Sequence, residues 1–280
     1  MKFGLYGFHR GASEDPVALT RHARLAEEGG FESVWVGDHV ALPTRAPGSD
    51  GPRVETVATL AFLAAATSTV RLGAGVIVLP QRQPVLLAQQ LSTVDKLSRG
   101  RLIVGVGVGY VRSELAAFGV SLDERGRRTD EYLAVMQQLW TGAPSSFSGE
   151  FTQFNDIVQR PTPYGSRRPP LVIGGRAPGA LRRAARVGDG WFGWDLDRST
   201  TAELLDELAA ECDRIGRAEP LHITVAPSEP ITDELIEAYE ELGVGRLVIA
   251  PSSTGASLID GSLTDAFIES TIDVIAPHCR

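Results

Sequence analysis

One adjacent pair of residues combines a carboxylate with an imidazole. Asp38 and His39 directly follow the apolar run 33–37, which is typical of a buried strand. Histidine exchanges protons near neutral pH, and a neighbouring carboxylate can hold its orientation or its charge. The pair is therefore a candidate for proton transfer at the end of a strand. The alternative is structural: Asp38 caps a loop, and His39 is a polar residue with satisfied hydrogen bonds.

A second motif places glycines at alternate positions. Gly105, Gly107 and Gly109 alternate with Val106 and Val108 at the end of another apolar run. The loop resembles a dinucleotide-binding loop, but its third glycine comes one residue too early for G-x-G-x-x-G and the motif lies in the middle of the chain. A Rossmann fold is therefore disfavoured. Glycines at this point would still let a ligand approach the backbone closely.

A third motif is rich in glycine and carries an arginine. Gly174, Gly175 and Arg176 precede a helical pattern that opens at Gly179. Free N–H groups at a helix N-terminus bind anions, and a guanidinium adds a fixed charge and a bidentate fork. The motif predicts a phosphate site, against the alternative of a tight turn with a solvated arginine. The aromatic cluster ending at Trp194 either stacks on a ligand ring or belongs to the core.

The elements that position these motifs alternate regularly. Eight short apolar runs alternate with amphipathic helical patterns over the 280 residues. Runs that are apolar almost throughout predict strands buried on both faces, as in a parallel sheet covered by helices. The alternation suits a barrel or a doubly wound sheet. Several runs end in unusual motifs, as expected of strands whose carboxyl ends meet at the mouth of one barrel. We therefore expect an α/β fold: a (β/α)8 TIM barrel, with residues 1–280 as a single domain.

The predicted strands are 3–8, 33–37, 70–79, 102–106, 171–174, 190–194, 222–226 and 246–250. The predicted helices are 16–28, 55–68, 84–97, 125–140, 179–187, 201–215, 232–242 and 263–275. A small hairpin is expected around residues 147–151.

Composition narrows the class of protein. The net charge of −8 disfavours nucleic acid as a partner, because phosphate binding needs a basic face. The absence of a run of about 18 apolar residues predicts no membrane span. The two cysteines, Cys212 and Cys279, cannot form a disulfide framework, which favours a cytoplasmic protein. We expect no metal site, because no His, Cys or Asp cluster has zinc-ligand spacing.

Taken together, the motifs resemble those of the luciferase-like flavin- and deazaflavin-dependent oxidoreductases. The resemblance covers nearly the whole chain. It rests on the segments 32–40, 71–80, 87–90, 95–102, 105–109, 124–133 and 186–191. The segment 124–133 is most similar to the actinobacterial branch that uses coenzyme F420, a deazaflavin.

The resemblance implies a (β/α)8 barrel with the cofactor at its C-terminal face. It implies a non-proline cis peptide between Gly75 and Val76 that supports the central ring, and it makes His39 the proton donor or acceptor, tuned by Asp38. The implied cofactor-binding residues are Gly75, Val76, Gly107, Val108, Gly109, Gly174, Gly175, Arg176 and Trp194.

The implied reaction is hydride transfer between C5 of F420 and a small organic substrate, with the protein positioning both. The alternative is an FMN-dependent luciferase-like monooxygenase that uses reduced flavin and O2. A third and less favoured hypothesis is a non-catalytic flavin-binding protein. The resemblance also implies a homodimer. Tyr110 stands where sugar-phosphate dehydrogenases of the family carry glutamate, which argues against a sugar-phosphate substrate.

Overall fold

Parallel strands close into a barrel in the computed structural model, which describes residues 1–46, 49, 51–251 and 262–279. The strands are β1 (Lys2–Tyr6), β2 (Ser33–Val36), β3 (Arg71–Ala74), β4 (Ile77–Val78), β5 (Leu102–Gly107), β6 (Ser145–Ser148), β7 (Gln153–Ile157), β8 (Leu171–Gly174), β9 (Gly190–Leu196), β10 (His222–Pro227) and β11 (Arg246–Ile249). The order in the large sheet is β3-β2-β1-β11-β10-β9-β8-β5-β4. Pairing of β3 with β5 closes the ring, in which β3 and β4 share one of eight strand positions.

Helices surround the barrel. They are α1 (Pro16–Glu28), α2 (Thr56–Ala66), α3 (Pro84–Leu97), α4 (Arg112–Ala117), α5 (Arg125–Trp140), α6 (Pro178–Val187), α7 (Arg198–Arg214), α8 (Asp233–Glu241) and α9 (Asp265–Ile275). The start of α1 shows why the sequence folds so: the Asp15 carboxylate accepts the Val17 N–H at 3.0 Å, and Pro16 opens the helix. None of the helices in the described ranges has the length and apolar character needed to cross a membrane.

The predicted (β/α)8 TIM barrel is confirmed, and each predicted strand and helix has a counterpart. The run 70–79 forms two strands, β3 and β4, and the Gly75–Val76 peptide bond between them is cis, as the family resemblance implied. The hairpin expected around 147–151 is the antiparallel pair β6–β7. Helix α4 was not predicted, since six residues are too few to show a helical period.

Trp35 fills the middle of the barrel. It is fully buried and stacks on Phe192, with ring centroids 5.4 Å apart and an interplanar angle of 11°. Two glycines make room for the indole, because a Cβ would lie 2.5 Å from its Nε1 at Gly4 and 2.3 Å from its Cδ2 at Gly73. At the N-terminal end the Arg246 guanidinium carbon lies 5.7 Å from the Trp35 ring centroid. The inside of the barrel is therefore packed solid up to its C-terminal mouth.

Candidate active site

His39 lies at the mouth, between two side chains of the segment that follows β5. Its Nδ1 is 2.9 Å from Oε2 of Glu114, and its Nε2 is 3.1 Å from the hydroxyl oxygen of Tyr110. Glu114 belongs to the short helix α4, and Tyr110 directly follows the glycine loop. The loops after β2 and β5 thus combine to hold one imidazole.

Glu114 is an ionised carboxylate in a buried position. Only 2% of the residue is exposed, and Oε1 accepts the backbone N–H groups of Val40 at 2.7 Å and Ala41 at 3.2 Å. Burial alone would raise the pKa of Glu114, but the hydrogen bond from His39 and those from the backbone outweigh it and lower the pKa. Because a carboxylate only accepts, His39 carries a proton on Nδ1, and with Nε2 unprotonated that nitrogen accepts from the Tyr110 hydroxyl.

Asp38 has different partners from those expected. Its fully buried carboxylate accepts from Thr56 Oγ1 at 2.7 Å, from the Val78 N–H at 2.9 Å and from Arg82 Nε at 3.1 Å. Glu114, and not Asp38, is therefore the carboxylate hydrogen-bonded to the imidazole, and the tuning of His39 by Asp38 stays a prediction. Neighbouring residues in an extended chain point to opposite sides, which separates the two side chains. Asp38 instead ties the end of β2 to β4.

Arg82 completes this buried ion pair. Burial opposes its charge, but the carboxylates of Asp38 and Glu55 outweigh that effect and raise the pKa of Arg82. The guanidinium bonds Glu55 through its second arm at 2.6 Å. The network ties the end of β2 to β4, which follows the Gly75–Val76 bond.

Four of the predicted cofactor residues lie together around Val76. The half-buried Val76 side chain faces two glycines, since a Cβ would lie 2.6 Å from its Cγ2 at Gly107 and 2.8 Å from its Cγ1 at Gly174. Gly75 precedes it through the cis bond and lies over Trp35 and Phe192. Any side chain at Gly107 or Gly174 would displace Val76, so the two glycines leave room for that half-buried side chain at the ends of β5 and β8. The residues present fit a flavin-like ring.

The rest of the glycine loop turns away from the strand. Gly109 has a φ of +76°, and a Cβ there would lie 2.6 Å from Cγ1 of Val78. Val108 is partly exposed beside it, between Gly107 and Gly109. The turn brings Tyr110 next to His39. The loop therefore contributes both to the group formed by Gly75, Val76, Gly107 and Gly174, called the cradle around Val76 below, and to the proton-transfer group.

Aromatic residues line another side of the mouth. The partly exposed Trp194 lies 4.4 Å from Tyr6 between ring centroids, and both pack on the same buried cluster as Val76. Next to Tyr6, the buried His9 accepts the Gly37 N–H on Nδ1 at 3.0 Å. Burial and the nearby charges of Arg10 and Arg53 hold the pKa of His9 well below its usual value. Sequence reasoning had not placed Tyr6 or His9 at the site.

The predicted phosphate residues lie at the end of β8. Gly174 is buried, Gly175 and Arg176 are exposed, and Gly175 has a φ of +122°. The Gly175 carbonyl is held by the Trp191 indole N–H at 2.9 Å. Helix α6 begins two residues beyond Arg176 with Pro178, so the positive end of the helix dipole lies next to this loop. The arrangement can bind an anion.

The surroundings of the site limit other chemistry. Within the described ranges, no group of three or more His, Cys, Asp or Glu side chains is arranged to hold a metal ion.

Glu114 was not predicted from the sequence because it lies within the short helix α4. Its signal is an acidic residue shortly after a glycine loop at the carboxyl end of a strand.

Comparisons with known proteins identify the family of this chain. The family model described as luciferase-like monooxygenase matches residues 1–256. An uncharacterized protein of Mycobacterium tuberculosis (strain ATCC 25618 / H37Rv) is 31% identical over 263 residues, covering 89% of this chain and 91% of that protein. An F420-dependent glucose-6-phosphate dehydrogenase of Kineococcus radiotolerans is 33% identical over 213 residues, covering 73% of this chain and 60% of that enzyme.

A solved structure shares the fold over the full length. An F420-dependent secondary alcohol dehydrogenase, in complex with an F420–acetone adduct, superposes with a TM-score of 0.79 at 19% identity, covering 100% of this chain and 99% of that chain. At this identity the likeness concerns the barrel alone. The match to the family model, which spans most of the chain, shows that this protein belongs to the luciferase-like monooxygenase family of oxidoreductases.

Proposed function

We propose that the protein is a coenzyme F420-dependent oxidoreductase that transfers a hydride to or from a small organic substrate. The observation that carries the proposal is the imidazole of His39, held by the buried Glu114 beside the cradle around Val76. A flavin-binding protein without catalytic activity would need no oriented proton-transfer group. His39 is the residue to which we assign proton transfer.

The cofactor would be held by the residues that the structure groups at the mouth. Val76, Gly107 and Gly174 would support the ring, and the loop at Gly175 and Arg176 would bind the phosphate. When bound, F420 supplies the hydride chemistry at C5 of its deazaflavin ring. The protein would orient the ring, and His39 would hold a proton at Nδ1.

Relatives favour F420 over FMN. The Kineococcus enzyme is F420-dependent by name and covers 73% of this chain. Tyr110 differs from the glutamate expected of sugar-phosphate dehydrogenases, so we do not extend that relative's substrate to this protein. A homodimer and a cytoplasmic location are part of the proposal, and analytical ultracentrifugation of the purified protein tests the first.

Binding titrations test the cofactor. Purified protein is titrated with oxidised F420 and, separately, with FMN, and the quenching of ligand fluorescence is followed. We expect F420 to bind at least about tenfold more tightly than FMN, a difference of about 1.4 kcal/mol. Tight binding of FMN without binding of F420 would overturn the proposal in favour of the monooxygenase.

A histidine variant tests catalysis. His39→Ala should keep its affinity for F420 and lose about 100-fold or more in turnover, the usual size of a general acid–base contribution. The control is His222→Ala, which changes an exposed histidine at the opposite end of the barrel. Equal turnover in the two variants would contradict the catalytic assignment.

A further inference from the structure

Protein groups engage both ring nitrogens of His39. Nδ1 faces Glu114 at 2.9 Å and Nε2 faces the Tyr110 hydroxyl at 3.1 Å. The rings of His39 and Tyr110 also meet edge to face, with centroids 5.5 Å apart and an interplanar angle of 85°. The His39 side chain is 25% exposed, whereas Tyr110 is 72% exposed. A molecule entering the mouth therefore meets the phenol before the imidazole.

We propose that Tyr110 is the catalytic residue that exchanges a proton with the bound substrate, and that His39 passes this proton on. Glu114 is then a positioning residue, which fixes the tautomer of His39. The inference rests on the proposed function and adds to it the group that touches the substrate. The proposal extends to the substrate class: a phenol hydroxyl can exchange a proton with a substrate oxygen, so we assign an alcohol or the corresponding carbonyl compound as the substrate.

The proton balance follows from the hydrogen bonds. The Tyr110 hydroxyl donates to Nε2 of His39, which leaves its oxygen free to accept from a substrate hydroxyl. In alcohol oxidation the substrate O–H bond breaks, its proton moves to the Tyr110 oxygen, and the phenolic proton moves to Nε2. The substrate carbon loses a hydride with two electrons to the deazaflavin oxidant, and its C–O bond becomes C=O. Carbonyl reduction reverses each transfer.

The electrostatics of the chain suit this relay. The imidazolium formed when Nε2 gains the proton lies 2.9 Å from the Glu114 carboxylate, which stabilises its charge. Although 72% of Tyr110 is exposed, the groups around its hydroxyl desolvate it and, together with the neighbouring Tyr6 and Glu114, raise the pKa of Tyr110, so the phenol keeps its proton at neutral pH. Tyr110 therefore acts as a neutral donor and acceptor and not as a permanent anion.

The first test reads His39 itself, without cofactor or substrate. The 15N NMR resonances of the His39 ring are recorded in the wild-type protein, in Tyr110→Phe and in the control Tyr164→Phe. Tyr164 is 48% exposed and contacts Gly100 at the opposite end of β5, far from the mouth. We expect the Nε2 resonance to shift in Tyr110→Phe only. Unchanged His39 resonances in that variant would overturn the inference, whatever cofactor the protein uses.

The second test measures turnover with F420 and a panel of short secondary alcohols that begins with 2-propanol. Tyr110→Phe should keep its F420 affinity and lose about 100-fold or more in kcat. Adding Glu114→Gln to Tyr110→Phe should lower kcat by a smaller factor than Glu114→Gln lowers it in the wild-type protein, because both residues act in one relay.

The outcomes separate the two proposals. If Tyr110→Phe turns over as fast as the wild-type protein, the relay is overturned and the F420-dependent function still stands. A wild-type protein that binds F420 but oxidises none of these alcohols would contradict the assigned substrate class. Failure of the wild-type protein to bind F420 would overturn the proposed function, and the NMR comparison would then decide the contact between Tyr110 and His39.

Discussion

Asp38 and Arg82 form an ion pair inside the protein, 44 residues apart in sequence. The Asp38 carboxylate is fully buried and the Arg82 side chain is 14% exposed. Their contact joins the end of β2 to the segment after β4, so it braces the backbone on which both His39 and Val76 depend. The pair is thus a structural support of the site and not part of the proton path.

Removal of Arg82 should therefore be costly. Arg82→Met leaves an unpaired carboxylate in the interior and should lower the free energy of unfolding by about 3–5 kcal/mol. Urea unfolding followed by circular dichroism measures the loss. The control, Arg127→Met, breaks an exposed pair with Glu150 and should cost at most about 1 kcal/mol. Equal losses in the two variants would contradict a supporting role for Asp38.

The glycines around Val76 should control cofactor affinity. In Gly107→Ala the new methyl would lie 2.6 Å from Val76 Cγ2 and push that side chain into the mouth. We expect F420 to bind about tenfold or more weakly, and Val76→Ala in the same chain to restore part of the affinity.

Gly126→Ala is the control for this substitution. Its methyl would meet nothing closer than the Arg183 guanidinium at 3.9 Å. Because Gly126 lies inside α5, the change to alanine should stabilise the protein by about 0.5–1 kcal/mol and leave F420 binding unchanged. A loss of affinity in this variant equal to that of Gly107→Ala would show that the cradle has no special role.

The loop at Gly175 and Arg176, proposed to bind the phosphate, predicts an effect of salt on F420 affinity. Arg176→Ala should weaken F420 binding about three- to tenfold at low ionic strength, and the difference should shrink as salt screens the exposed charge. Arg167→Ala removes another exposed arginine, on the segment that leads into β8, and serves as the control. Equal affinities in the two variants at low salt would remove Arg176 from the site.

Glu27 gives the stability of the fold a defined pH dependence. Its carboxylate accepts the backbone N–H groups of Thr69 at 2.5 Å, Val70 at 2.8 Å and Ser68 at 2.9 Å. Burial would raise its pKa, but these bonds outweigh burial and lower the pKa from 4.5 to about 2. The stabilisation is therefore fully present above pH 4.5 and is lost as the pH falls toward 2.

Glu27→Gln should reveal this effect. At pH 7 the free energy of unfolding of the variant should be about 1.5–3 kcal/mol lower than that of the wild-type protein, which is the contribution of a hydrogen bond to a charged group. The gap should close as the pH approaches that lowered pKa. Urea unfolding at several pH values measures it, with the exposed neighbour in Glu28→Gln as the control. A gap that does not change with pH would contradict the assignment.

The sequence predicted the barrel well because its signals are long and repeated. Buried strands such as 102–106 are apolar on both faces, and helices such as 84–97 carry a clear start and end. The break between Gly75 and Val76 came from family resemblance alone. No periodicity marks a cis peptide bond.

The site was harder to predict because its contacts join distant parts of the chain. His39 meets Glu114 across 75 residues, and only the closed barrel brings the loops after β2 and β5 together. Adjacency in sequence suggested Asp38 as the partner, yet neighbours in an extended segment point apart. The sequence singled out His39 as a candidate, but its contact with Glu114 is visible only in the tertiary structure.

The tryptophan at the centre of the barrel has a kinetic consequence. Because Trp35 and the residues packed around it fill the interior in the described part of the chain, a ligand resting against Val76 would enter from the C-terminal mouth. With a cofactor against Val76 and a substrate above it, as proposed, the two would pass in sequence, and the cofactor would arrive first and depart last. An enzyme of this shape is expected to obey a compulsory order of addition, which inhibition by each product would reveal.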